Sequence, residues 1–336
     1  MIKKFMTVTV AIMCSCVLFV SIAAADAAGN NGKIEGPGYE TAEEAAAAYI
    51  EGMINGDIQE MLSACAVETY VENYSLEKHI EHLNVMLSPL QAGYLPSADD
   101  FSRMLNIEAR KNAMVQIMKY QYLAVMGSPV LTDEYDGTAI PLNNFDSVDE
   151  MIGYVYPSDS PDIEFNGIFL PPVIVSGKFL NSRNLYNMAR TAYADNAQQL
   201  DSVAALIYVN EEPWLITFGT ERFGDRWYIT NTNMLWNIMG MPSFQGGMAK
   251  ITDVLDITNE EFDALYEELL SDGKLMELTD RISETVSKID IYEIMTLPED
   301  ERYYAYEEAG SAIIADLLTA EEMDYLFNIS NSIPAR

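Results

Sequence analysis

SVAALIYVNEEPWLITFGTERFGDRWYIT, residues 202–230, decides the fold. Val203 to Val209, Trp214 to Thr220 and Trp227 to Ile229 are apolar, β-branched or aromatic runs, and turn-forming residues separate them. Asn210-Glu211-Glu212-Pro213 and the tight Gly224-Asp225 pair are short enough to reverse the chain. Three consecutive antiparallel strands are predicted. A further strand is expected near Ile163 to Leu170, within loop-rich residues 127–173 that also hold a helix from Ser147 to Tyr154.

Upstream of this sheet the pattern is helical. Thr41 and Glu44 make a capping box, followed by Ala42, Ala45, Ala46, Tyr49, Ile50 and Met53 on one face, with Gly56 as the stop. Asp57 with Glu60 starts a second helix, whose apolar face of Ile58, Met61, Leu62 and Cys65 makes that cysteine buried and inert. A third runs from Ser75 to Leu87 on the stripe Leu76, Ile80, Leu83 and Leu87. A fourth starts at Asp99 and holds to about Gln116; residues 120–126 fit helix or strand equally. One or two helical turns are expected between Ser182 and Leu200.

Downstream, Gly240 to Gly247 breaks every period and marks a boundary. After it all is helix: Thr258 and Glu261 cap a segment closed by Gly273, Leu275 to Ile289 continues, Pro298 precedes Tyr303 to Leu318, and Thr319 with Glu322 caps the last helix. The expected organisation is a signal peptide over 1–27, a flexible linker over 28–40, an α+β domain over 41–239 and an all-α region over 248–336.

The alanine-rich opening from Thr41 to Asp57, ending in Gly56-Asp57, resembles the first helix of secreted NTF2-like (cystatin-like) domains. Phe223-Gly224-Asp225-Arg226-Trp227-Tyr228-Ile229 resembles the last hairpin strand of the same family. The resemblance implies N-terminal helices packed in the hollow of a curved antiparallel sheet, forming a cone with a pocket. Residues 75–175 and the helices after 247 lie outside it. This fold hosts enzymes, binders and assembly modules alike, so it implies no activity.

Lys3-Lys4, the apolar run Phe5 to Ala25 and the small residues Ala25-Asp26-Ala27 read as an export signal, with the mature chain beginning at Ala28. A second route is lipidation of Cys16, against which the apolar Val17 to Val20 stands. Membrane contact is expected only through these segments. Cys65 is then the sole remaining cysteine, so no intramolecular disulfide is available. With 19 Lys and Arg against 52 Asp and Glu, the net charge of −33 repels phosphate backbones and excludes nucleic acid as a partner.

Candidate chemistry is sparse. His79 and His82 are the only histidines, three apart on the third helix, a spacing zinc can use only with ligands from elsewhere. His79, His82 and Asp57 are the candidates for a general base, although Asp57 already has a capping role. Asp133, Glu134 and Asp136 form an acidic loop that calcium would favour, but the spacing is not that of an EF-hand. No Gly-x-Ser-x-Gly elbow or phosphate loop is present, and no cofactor is expected. The expectation is therefore a non-catalytic extracytoplasmic module of a bacterial envelope, partnered by a protein or small ligand. The alternatives are a small-molecule enzyme using the cone pocket, and a glycan or peptide binder using exposed aromatics. A pocket holding His79 or His82 beside an acidic group favours the enzyme.

Overall fold

The computed structural model describes residues 32–83, 94–128, 142–156, 161–169, 182–232, 247–255, 257–286 and 290–332. Residues 1–34 and 35–336 form separate compact units. The export segment, the acidic loop of Asp133, Glu134 and Asp136, and residues 240–246 of the expected boundary lie outside the described residues. Among the described residues no helix is long and apolar enough to cross a membrane.

The second unit is α+β. Its antiparallel sheet has the order β1-β2-β3-β4, from β1 (Ile163–Phe169), β2 (Gln199–Val209), β3 (Glu212–Phe223) and β4 (Arg226–Asn231). A short β5 (Met248–Lys250) pairs with the start of β3. The β2–β3 hairpin turns on Asn210 and Glu211 alone, with φ of 50° and 69°. That is the doubly left-handed two-residue turn that matches strand twist, so Glu212 and Pro213 join the strand rather than the turn. Bulges lie at Phe165/Gly167 and Gly219/Thr220, and bulges bend the strands that carry them.

Residues 203–207 of β2 are buried without alternation, as expected where both faces of a sheet are covered. One face receives α1 (Ala42–Asn55), which touches β1 to β4. The Thr41–Glu44 box and left-handed Gly56 bound this helix as its residues dictate. Its alanines allow close approach, and Tyr49 stands edge-on to Phe218 at 5.2 Å. α2 (Ile58–Ser63), α3 (Glu68–Asn73) and α4 (Leu76–Leu83) follow.

Residues 120–126, which fit helix or strand by pattern, are helical: α5 runs Asp100–Val125 without a break. Its buried stripe is Asn106, Arg110, Met114, Met118, Gln121 and Val125, at helical spacing throughout. In the segment left open, Tyr120, Tyr122, Ala124 and Met126 alternate with Gln121, Leu123 and Val125, which is why periodicity alone did not decide it. α6 (Val148–Val155) falls where a helix was expected and is capped by Ser147, whose hydroxyl accepts from Glu150 N at 3.1 Å.

The other sheet face packs on α7 (Ser182–Ala194), longer than the one or two turns expected. One core cluster joins Leu200, Phe223 and Tyr228 of the sheet to Ala66, Tyr70, Tyr186, Ala189 and Ala192, and to Ile291, Ile294, Met295 and Tyr306 from the C-terminal part of the chain. Those last residues belong to α11 (Ile291–Met295) and α12 (Glu299–Leu317), which follow α8 (Ile251–Val254), α9 (Asn259–Ser271) and α10 (Gly273–Val286). The C-terminal helices therefore share a core with the sheet. They also build a cluster of their own from Leu269, Leu275, Leu278, Ile282, Leu318 and Leu326, the last on α13 (Ala320–Ser332). Gly273 does not close α9 but opens α10; Asp272 between them accepts from the amides of Lys274 and Leu275, both at 3.1 Å.

Residues 35–40, assigned by composition to a flexible linker, are built into this unit. Tyr39 exchanges backbone hydrogen bonds with Trp227 at 2.9 and 3.0 Å. A Cβ on Gly38, whose φ is +76°, would come within 2.6 Å of the Tyr228 ring. The glycine serves close packing, which composition cannot distinguish from freedom.

Candidate functional site

Cross-strand pairing sets Leu200, Glu221 and Tyr228 in one row across β2, β3 and β4. Leu200 and Tyr228 belong to the aromatic core, so the pleat carries the Glu221 carboxyl into it, where only 1% of the residue is exposed. Asp195 arrives from the opposite side. α7 ends in a left-handed Asn196 (φ 56°), with Ala197 N–H bonded to Ala192 O at 2.8 Å, and this turn tucks Asp195 inward, 7% exposed.

The two carboxyls share a hydrogen bond. Burial raises both above the usual carboxylate range, and Glu221, facing the charge of Asp195, is raised well above it. The shared bond raises Glu221 and lowers Asp195, so Glu221 is the more strongly raised of the two. Asp195 Oδ1 also accepts from the Tyr70 hydroxyl at 2.8 Å. Arg110, itself buried, supplies the compensating charge. Its Nε and Nη2 donate to Ala66 O at 3.0 Å and Thr230 O at 2.7 Å, it bonds to the Tyr94 side chain, and its guanidinium lies 4.0 Å from the Tyr70 ring centre. Burial pulls Arg110 down, but Tyr94, Tyr70 and Glu221 outweigh it and leave the group raised.

Tyrosines wall the cluster. Tyr70, Tyr74 and Tyr94 lie 5.2 to 6.2 Å apart by ring centres, and His79 on α4 lies 5.5 Å from Tyr74. His79 lies within electrostatic reach of Asp195, and Asp195 raises Tyr74 after burial has done so. Tyr74 Oη, His79 Nδ1 and Glu221 Oε2 are buried polar atoms with no hydrogen-bond partner among the described residues. Leaving such atoms unpaired costs about 1–3 kcal/mol each.

Of the residues singled out by sequence, His79 is in this cluster. His82 lies on the same helix, and its side chain is outside the described residues. Asp57 is elsewhere: exposed, it caps α2 through bonds to Gln59 N (2.8 Å) and Glu60 N (3.1 Å). Cys65 is buried, its thiol pushed up to about 12 by burial, and is inert as expected. Asp195, Glu221, Arg110 and the tyrosines were not singled out. Among the described residues no three His, Cys, Asp or Glu side chains are grouped to hold a metal.

The pair and Asp201 set a pH dependence of stability. Asp201, on the α1 side of the sheet, is pushed up to about 7 by burial, assisted by Glu43 and opposed by the Ser202 amide. A carboxyl whose folded pKa exceeds its unfolded value of about 4 favours the fold when protonated. The contribution of these three carboxyls to stability is thus fullest below about pH 4 and falls as pH rises to about 7 through Asp201. It falls further as the pair ionises. Urea unfolding across pH is expected to show this decline. Asp201→Asn should remove the first part, on the order of 2 kcal/mol after discounting its partial exposure, and Glu221→Gln the later part.

No known protein family matches the chain, and no curated protein or solved structure is detectably similar to it. What the site does is read from its own residues.

Proposed function

We propose that this chain is an exported NTF2-like protein that takes a small molecule into the tyrosine-walled cluster and moves a proton to or from it. The observation that carries the reading is the set of three unpartnered polar atoms, Tyr74 Oη, His79 Nδ1 and Glu221 Oε2, gathered around Asp195. Glu221 is the acid, kept protonated by burial and by its charged neighbour. Asp195 holds that proton in place, and Tyr70 and Arg110 hold Asp195. Two carboxyls with unlike proton affinities beside an open hydrogen-bonding site are the arrangement general acid–base catalysis uses.

Absence of a catalytic signature favoured a non-catalytic module from the sequence. An acidic pair next to His79 moves the balance to the enzyme. The Lys3-Lys4 export signal supports action outside the cytoplasm, and the net charge supports a small ligand or protein rather than nucleic acid as partner. The helix and hairpin resemblance supports an NTF2-like cone.

A thermal-shift screen against small metabolites tests the binding half, since a ligand of the folded state raises the melting temperature by mass action. Ligands that bind are then incubated in deuterated water and followed by mass spectrometry. Turnover or deuterium incorporation is expected, falling about 100-fold or more in Glu221→Gln. Binding without chemical change returns the protein to the non-catalytic class, and no binding points to a protein partner. N-terminal sequencing of protein recovered outside the cytoplasm should read from Ala28.

A further inference from the structure

Every charge at the site is already engaged by the protein. The Arg110 guanidinium serves two backbone carbonyls and Tyr94 and is covered on one face by Tyr70. Asp195 accepts from Tyr70 and shares a hydrogen bond with Glu221. Lys78, on the same helix as His79, donates to Asn196 Oδ1 at 2.5 Å and sits over the Tyr193 and Tyr292 rings at 4.2 and 5.1 Å. What remains for a ligand is a tyrosine hydroxyl, an imidazole nitrogen and one carboxyl oxygen of Glu221, with Tyr70, Tyr74 and Tyr94 as aromatic walls.

Resting on the pocket reading above, we propose that the ligand is an uncharged, ring-bearing molecule with a hydroxyl or carbonyl group, oriented by Tyr74 Oη and His79 Nδ1. A ligand carboxylate or phosphate would have to be desolvated beside Asp195 without a free guanidinium to meet it. A ligand ammonium would meet Arg110 and a carboxylate that already has its donors. A neutral hydroxyl completes three unpaired groups and leaves the charge balance unchanged. Flat rings suit the tyrosine walls. The Tyr74 hydroxyl is the informative atom, because it does nothing for the empty fold.

Isothermal titration of the full chain with benzyl alcohol, benzoate and benzylammonium at neutral pH compares one ring in three charge states. Benzyl alcohol is expected to bind, and each ion at least tenfold more weakly. Tyr74→Phe should weaken benzyl alcohol about three- to tenfold, the value of one hydrogen bond, while its melting temperature stays at or above that of the parent. If an ion binds as well as the alcohol and loses affinity in Tyr74→Phe, the pocket stands and the neutral class falls. If Tyr74→Phe leaves benzyl alcohol binding unchanged, or none of the three binds, both the class and the pocket reading fall.

Discussion

Arg110→Met is expected to destabilise the protein by about 3–5 kcal/mol, because it leaves buried groups without their counter-charge. Methionine fills most of the volume, so the loss is electrostatic. Ala66 O and Thr230 O lose their donors, and these carbonyls come from the turn before α3 and from β4. Both carboxyls lose the positive charge that opposes their burial, so Asp195 and Glu221 rise further. Arg110→Lys should recover less than half of the loss, since an ammonium has no planar fork to reach both carbonyls while stacking on Tyr70. Urea unfolding at pH 7 measures both. An Arg110→Met protein as stable as the parent would mean that the carboxyl pair is not buried in solution.

Glu35→Ala is expected to cost about 2–4 kcal/mol, a large effect for a residue just outside the first helix. α3 has no cap of its own, since Val67 at its N-cap position offers no side-chain acceptor. Glu35 supplies it from 32 residues upstream. Its Oε2 accepts from Val67 N at 2.9 Å and Thr69 N at 2.8 Å, and its Oε1 accepts from the Thr69 hydroxyl at 2.5 Å. Removing the carboxylate strands the buried amide of Val67 and the part-buried amide of Thr69 at the positive end of a helix that carries Tyr70 in its first turn. Glu35→Gln keeps one acceptor and should lose less. Guanidinium denaturation gives the ranking, and equal midpoints for Glu35→Ala and the parent would remove Glu35 from its role as cap.

These two side chains show where sequence reading stopped. The strands between Val203 and Ile229 were legible because β-branched and aromatic runs alternate with turn residues, and turn chemistry is local. Capping boxes at Thr41–Glu44 and Thr258–Glu261 were legible for the same reason. Glu35 was not, because its partners lie more than thirty residues away and no spacing rule links them. The end of α5 was obscured by Tyr120, Tyr122, Ala124 and Met126 alternating with Gln121, Leu123 and Val125 at strand spacing; Gln121 is buried there because it receives the Tyr49 hydroxyl at 2.6 Å, a partner that exists only in the folded chain. His79 was legible as a rare residue type but not as a neighbour of anything. Asp195 lies 125 residues from Tyr70, and one signal for Glu221 was available: a carboxylate inside the long run that forms β3.

The aromatic core that encloses Glu221 draws on residues from Ala66 to Tyr306. A chain made N-terminus first would deliver Tyr70, Arg110, Asp195 and the whole of β3 well before Ile291, Ile294 and Tyr306 arrive to shut water out. Until then both carboxyls are hydrated and ionised like any surface acid. The burial that raises Glu221 is complete only when nearly nine-tenths of the polypeptide has been made, so a product truncated before Ile291 would possess every polar residue of the cluster and leave both carboxyls hydrated.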